Sequence, residues 1–444
     1  MHRVCSACFA IRLASHVPCP RHPTSDSVNP GDQFLYSELK RKRSIRVLRI
    51  SQASDGELEI SLRARQLTDP EPFTALSYTW GDPSKTRPVI CEGRRLDVTI
   101  NLYTALQQFR ADRRTDDLWI DAICINQASQ EEKAAQVRMM GQLYGRADLV
   151  LTWLGESTTG DEEAFDLLNI LHERLPFPPP PGPLYRRGYV NCQSAAELGI
   201  PGIDDKRWQR LGKLCRNPYW YRGWIIQETV LARRLIVQWG HLTTTGDKIF
   251  AFGCWWMKYQ AVQMGANCSV FAVDDSTTST TSQALDFECL KPRISAVATE
   301  NVLHSMKNPI GSLWFIKDIV KTIGPQPMAY LVGRSQQFET TVAKDRLFSL
   351  FGLASDMGPS TFIDYEKGDN ELLLEVATAA LHSEGAFNVL KSVESSSRLP
   401  GLPSWIPNYF SNYVVIPWEV ENAWRRNPTI PFVLNATMSG PKVR

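Results

Sequence analysis

No stretch of the 444-residue chain approaches the roughly 18 consecutive apolar residues that a membrane-spanning helix needs, and the longest apolar pieces are as short as 149–154. The first 20 residues are broken by Arg12, His16, Pro18 and Pro20, which leaves no clean apolar core for a secretory signal. Cysteine is sparse and scattered: ten residues, mostly isolated in apolar surroundings such as Ile123-Cys124-Ile125. That pattern suits reduced, buried thiols and not a disulfide framework, so the expected compartment is cytoplasmic, with the nucleus as the alternative. Charge is nearly balanced, 49 Lys+Arg against 47 Asp+Glu for a net +2, which gives no ground for a specific nucleic-acid partner. Phosphate-binding and hydrolase signatures are missing: there is no G-x-G-x-x-G, G-x4-G-K-[ST], G-x-S-x-G or H-E-x-x-H.

What is present is a globular composition, 43% hydrophobic and 22% charged, long enough for two to four domains, with two the natural count. Residues 1–43 read as an irregular extension, punctuated by Pro18, Pro20, Pro23 and Pro30. It holds Cys5-x2-Cys8-x10-Cys19-x2-His22, in which soft thiolates and an imidazole could close a tetrahedral structural zinc site. The ten-residue link between the pairs fits common zinc spacings less well, and incidental cysteines in a frayed tail are the alternative. The basic run Lys40, Arg41, Lys42, Arg43 could address a nucleus or an acidic surface, or be a solvated turn before a strand.

From Ser44 the pattern alternates as strands do, with Ile45, Val47, Leu48 and Ile50 followed by Leu58, Ile60 and Leu62 across an Asp55-Gly56 hairpin signal. Glu92-Gly93 marks a second hairpin, and Asn101 is expected to cap a helix running to about Arg110. The run 118–125 is nearly all apolar and reads as a strand buried on both faces; a capping box at Ser129 and Glu132 opens the following helix, and 149–154 is a second buried strand. Strand, helix and strand in this order predict parallel pairing. The fold class is therefore α/β: a parallel-sheet core over 44–240 with an N-terminal β-hairpin, and a mostly helical region over 241–444. Within the latter, 312–323 and 370–382 are the strongest helical segments, while 273–284 is low in complexity.

Several long segments resemble one family. They are FTALSYTWGD (73–82), LWIDAICINQ (118–127), EKAAQVRMMGQLY (132–144) with VLTWLG (150–155), and NPYWYRGWIIQE (217–228). AKDRLFSLFGL (343–353), IDY (363–365) and LPSWIP (402–407) continue the series. In order and spacing these resemble the heterokaryon-incompatibility (HET) domain of filamentous fungi over residues 45–410. Members of that family usually continue beyond the last segment, so a chain ending at Arg444 looks like a short or truncated member. The resemblance implies participation in non-self recognition and the cell death that follows fusion of incompatible fungal cells. It also implies a homo-oligomer or an incompatibility partner protein. HET domains are regarded as distant relatives of TIR-type domains, some of which cleave NAD at the glycosidic bond through a glutamate. The resemblance thus implies a distantly TIR-like core and NAD as a substrate.

The residues offer a concrete version of that chemistry. In α/β sheets ligands sit beyond the carboxyl ends of parallel strands, where Tyr78 and Trp80 close one segment and Asp121 another. The block 219–228 adds Arg222, Trp224, Gln227 and Glu228. N-glycosidic cleavage develops positive charge on the sugar, which a carboxylate stabilises, and Glu228 and Asp121 are the two candidates for this catalytic role. Tyr78, Trp80, Arg222, Trp224 and Gln227 are the candidates for contacts to the nucleotide, with Trp80 or Trp224 stacking on a ring. Gln136 and Arg138 are expected to add polar contacts. Each has a plainer reading: Asp121 bonding a turn backbone, Glu228 paired with Arg222 or Arg233, the aromatics as core, and Cys124 as a buried thiol. A signalling module that self-associates or binds a partner, with death executed downstream, is the non-catalytic alternative.

Overall fold

The computed structural model describes residues 33–52, 56–175, 177, 198–202, 205–255, 309–358, 363–382, 393 and 399–410. It also gives the backbone of a short antiparallel pair, Arg3–Val4 with Ile11–Arg12. Cys5, Cys8, Cys19 and His22, the low-complexity stretch 273–284 and the turn residue Asp55 lie outside the described residues. Among the described residues no group of His, Cys, Asp and Glu is arranged to hold a metal ion, and no helix is long and apolar enough to cross a membrane.

A nine-stranded mixed sheet organises the chain. Its strands are β1 (Ser44–Ile50), β2 (Glu59–Gln66), β3 (Thr74–Tyr78), β4 (Thr86–Cys91), β5 (Arg94–Thr99), β6 (Leu118–Trp119), β7 (Leu149–Trp153), β8 (Leu235–Trp239) and β9 (Leu242–Thr245). Their spatial order is β9-β8-β7-β3-β6-β1-β2-β4-β5. The centre is parallel, since β3 pairs in parallel with β6 on one side and β7 on the other, and β7 pairs in parallel with β8. The carboxyl ends of four strands therefore open on one edge. The expected N-terminal hairpin is there, with Ile50 opposite Ile60. So is the second, turning through Glu92 and Gly93 at φ 51° and 79°, the left-handed pair that matches strand twist.

Burial follows the pattern of the sequence. All five residues of β3 are buried, as a central parallel strand covered on both faces requires. Trp119, Trp153, Trp220, Tyr144 and Phe109 are among the largest buried side chains. The packing helices include α1 (Ile100–Ala111), α2 (Asp121–Cys124), α3 (Gln130–Val137), α4 (Met140–Arg146), α5 (Glu162–Arg174), α6 (Lys206–Cys215) and α7 (Ile225–Val230). From 246 onward the described elements are helices, 246–255, then α8 (Pro309–Thr322), α9 (Met328–Arg334), α10 (Asp345–Phe348) and α11 (Asp369–Leu381), with a 3-10 turn at Phe351–Leu353 and isolated β-bridges at Gln326, Glu339 and Ala354.

Local expectations need correcting at three places. The apolar run 118–125 is a strand only at Leu118–Trp119; the Cys124 N–H then bonds Ile120 O at 2.7 Å and the chain coils into α2. A short apolar run is equally a buried strand or a buried helical turn, because periodicity cannot separate the two. Asn101 does not cap α1, whose N-cap is Thr99; its amide donates to Thr79 O at 2.6 Å and its oxygen accepts from Trp153 Nε1 at 3.1 Å, tying the ends of β3 and β7. At α3 only half of the capping box forms. Ser129 Oγ accepts from Glu132 N, but the Glu132 carboxylate accepts from Asn126 N at 2.7 Å and pairs with buried Arg46 at 2.5 Å.

The later helices complete α7. Gln227 Nε2 donates to Phe348 O at 2.9 Å, and Lys317 Nζ donates to the carbonyls of Thr229, Val230 and Ala232 at 3.0, 2.9 and 2.8 Å. These are the carbonyls a helix leaves open at its C-terminus, where a cation also complements the dipole. Burial lowers the Lys317 pKa to about 8.

Candidate functional site

Four segments meet at the carboxyl edge of the parallel strands. The end of β3 supplies Ser77 and Tyr78, and the loop beyond it Trp80. The chain leaving β6 supplies Asp121, the first residue of α2. A 3-10 turn, Pro218–Tyr221, opened by Asn217 accepting from Tyr219 N, places Tyr219 and then Arg222; α7 carries Glu228.

Glu228 is 2% exposed. Ser77 Oγ donates to its Oε2, Tyr219 Oη lies 2.6 Å from Ser77 Oγ and 2.9 Å from Thr152 Oγ1, and Arg222 Nη1 stands 4.0 Å from the carboxylate. Burial raises the Glu228 pKa to about 7, more than Arg222 and the Ser77 hydrogen bond pull it down, and Asp121 pushes the same way. A carboxyl group there exchanges its proton near neutrality.

Asp121 is only partly buried by surface area, yet enclosed enough that burial raises its pKa. Its Oδ2 accepts from Trp80 Nε1 at 2.8 Å and its Oδ1 from Ala122 N at 2.7 Å. Its own carbonyl accepts from Gln127 Nε2 at 3.0 Å. Arg222 is the cation facing both acids, and they hold its pKa up against burial. Burial and the adjoining Asp121 charge raise Tyr78 well above the usual phenol range, so its hydroxyl stays a proton donor.

Two polar atoms of this cluster remain unsatisfied. Neither Tyr78 Oη nor Arg222 Nη1 makes a well-formed hydrogen bond among the described residues, although both atoms are buried; Tyr78 faces the Asp121 carboxylate and Arg222 Nη1 stands in the ion pair with Glu228. Leaving such groups bare costs on the order of 1–3 kcal/mol each, and a bound molecule or ordered water is a usual reason for their retention. Two donors held between two carboxylates suit a ligand that accepts and donates, as sugar hydroxyls do.

Of the residues singled out in the sequence, Tyr78, Trp80, Asp121, Arg222 and Glu228 gather. Gln227 is buried and committed to Phe348, with its Oε1 wedged where α4 and the 351–353 turn approach, leaving no room for a Cβ on Gly352. Trp224 packs beside Asp345. Gln136 bonds Ser44 O at 2.8 Å and Arg138 bonds Ile363 O at 3.1 Å, so both brace the fold. Cys124 is a buried thiol whose pKa burial raises to about 12, no nucleophile. Sequence reasoning passed over Ser77 and Tyr219, which hold Glu228; the signal was a lone serine in the otherwise large, apolar end of β3.

Residues 73–228 match the family model described as heterokaryon incompatibility protein (HET), and all five gathered residues lie inside that span. Heterokaryon incompatibility protein 6, OR allele, of Neurospora crassa is 32% identical over 162 residues, which cover 32% of this chain and 24% of that protein. The chain thus spans about a quarter of the length of the curated relative it matches. No solved structure matches the chain.

Proposed function

We propose, for a chain that belongs to the HET family through residues 73–228, a role in fungal heterokaryon incompatibility exerted by cleaving the glycosidic bond of NAD. The observation that carries the reading is the cluster itself: Asp121 and Glu228 around one Arg222, with the buried Tyr78 Oη and Arg222 Nη1 facing these carboxylates without a well-formed hydrogen bond. In this reading the nicotinamide ribose sits between the carboxylates. As the bond from its C1′ to the nicotinamide nitrogen breaks, the sugar becomes cationic and nicotinamide leaves with the bonding pair. Glu228 stabilises that charge, Asp121 orients a ribose hydroxyl, and water adds at C1′ and gives up a proton, yielding ADP-ribose. Tyr78 and Arg222 donate to oxygens of the substrate, and Trp80 stacks on a ring once it has released Asp121. The protein would act in the cytoplasm, where NAD is supplied.

The near-complete burial of Glu228 favours a second reading, in which the cluster locks α7 to the sheet and the domain signals by self-association or by binding a partner. Nicotinamide release from NAD, measured at high protein concentration, separates the two. Catalysis predicts release by the wild type and a loss of roughly 100-fold or more in Glu228→Gln and Asp121→Asn. Equally low release by all three, from a wild type that still kills cells, rejects catalysis.

A further inference from the structure

The basic run that opens β1 has no place in either reading. Lys40, Arg41, Lys42 and Arg43 are all exposed, and none forms an ion pair with a described residue. Several other arginines of the first hairpins are matched: Arg49 and Arg63 share Asp117, and Arg95 pairs with Asp97. Just past the paired end of β2, Asp69 and Glu71 do not supply the deficit, since both turn to Arg65. Glu38 is the one acid between residues 33 and 46.

The run is also held in shape. Ser44 N bonds Arg41 O at 3.2 Å and Leu67 N bonds Arg43 O at 2.9 Å, while Arg43 itself takes a left-handed φ of 63°. That conformation is costly for a residue with a Cβ and persists because the flanking hydrogen bonds fix it. The strand-like strap before it is pinned as well. Phe34 N bonds Arg95 O at 2.7 Å, Tyr36 Oη donates to Ile123 O at 2.9 Å, and Arg46 stacks over the Tyr36 ring. With Phe34 and Tyr36 engaged in this way, Leu35 between them is 73% exposed.

We propose that this strap and turn are a docking surface for an anionic lipid bilayer, with Lys40 to Arg43 against the headgroups and Leu35 entering the interface. Four clustered cations meet the lower bound of a lipid-binding basic segment, and a single electrostatic signal is weak without an apolar one beside it. The exposed leucine and the small net charge of +2 favour a membrane over a nucleic acid, which would call for a broader positive field.

Cosedimentation of the full chain with vesicles of phosphatidylcholine, alone or with about 30% phosphatidylserine, tests this. The expected result is binding to the serine-containing vesicles only, lost at about 1 M salt. The triple variant Lys40→Ala, Arg41→Ala, Lys42→Ala should weaken it roughly 100-fold while melting like the wild type. Leu35→Ser should weaken binding with the salt dependence retained. Equal binding to both vesicle types, no binding to either, an unaffected triple variant, or tighter retention on duplex DNA than on serine-containing vesicles at the same salt would each overturn the proposal.

Discussion

Trp80 Nε1 donates to Asp121 Oδ2 at 2.8 Å, so the indole that follows β3 closes over the carboxylate that follows β6, its neighbour in the sheet. Trp80 remains 40% exposed while Trp119 and Trp153 are wholly inside. A molecule that takes the place of the indole at Asp121 Oδ2 has to displace this hydrogen bond.

Trp80→Phe keeps the ring but removes the donor. The expected cost to stability is at most about 1 kcal/mol, because the bond is solvent-accessible. Tryptophan emission in the variant should lose quenching by iodide relative to the wild type. If ligand binding displaces the indole, the wild type should gain quenching on adding NAD and Trp80→Phe should not.

Glu228 gives the fold a pH dependence of definite sign. Its folded pKa, about 7, exceeds the usual 4.5, so the native state holds this proton more tightly than the unfolded chain. The contribution is fully present below pH 4.5 and disappears as pH rises to about 7. Above that point the ionised group costs about 3 kcal/mol relative to its protonated form, on the scale of 1.36 kcal/mol per pH unit. Glu228→Gln should therefore gain stability over the wild type between pH 5 and pH 8 in urea unfolding. A parallel shift of both proteins across that range would refute the burial argument.

Glu132 and Arg46 form a tightly closed ion pair between the hairpin and α3, at 2.5 Å with both side chains mostly inside. Arg46 also donates to Cys124 O at 3.1 Å, holding the turn that presents Asp121. Glu132→Ala strands a guanidinium and should destabilise by about 3–5 kcal/mol. Glu132→Gln, which can still accept hydrogen bonds, should cost less. Equal losses in thermal melts of the two variants would show that the lost charge, and not the lost hydrogen bonds, sets the whole cost.

Much of this architecture was legible in the residues. Alternation at 45–62 announced the first hairpin, Glu92-Gly93 the second, and unbroken apolar runs the buried centre of the sheet. Asp121, Glu228 and Arg222 could be chosen because carboxylates and an arginine stand at the ends of such runs. What could not be read was depth. Nothing local distinguishes Gln227, wedged between two glycines, from Arg222, whose guanidinium faces both acids, since the difference lies in which helices arrive from more than 100 residues later. Asn101 misled for the opposite reason: its type and place suit a cap, but a strand end and an indole compete for the same amide.

The bonds from Lys317 to the end of α7 have a consequence for how this protein is made. The HET match stops at Glu228, yet the helix bearing that residue is finished by an ammonium group encoded nearly ninety codons downstream and by a backbone carbonyl at Phe348. A nascent chain that has emerged only as far as Ala232 holds an α7 with bare carbonyls. The cluster is therefore assembled late, and a ribosome stalled before residue 317 would release a sheet without a finished centre.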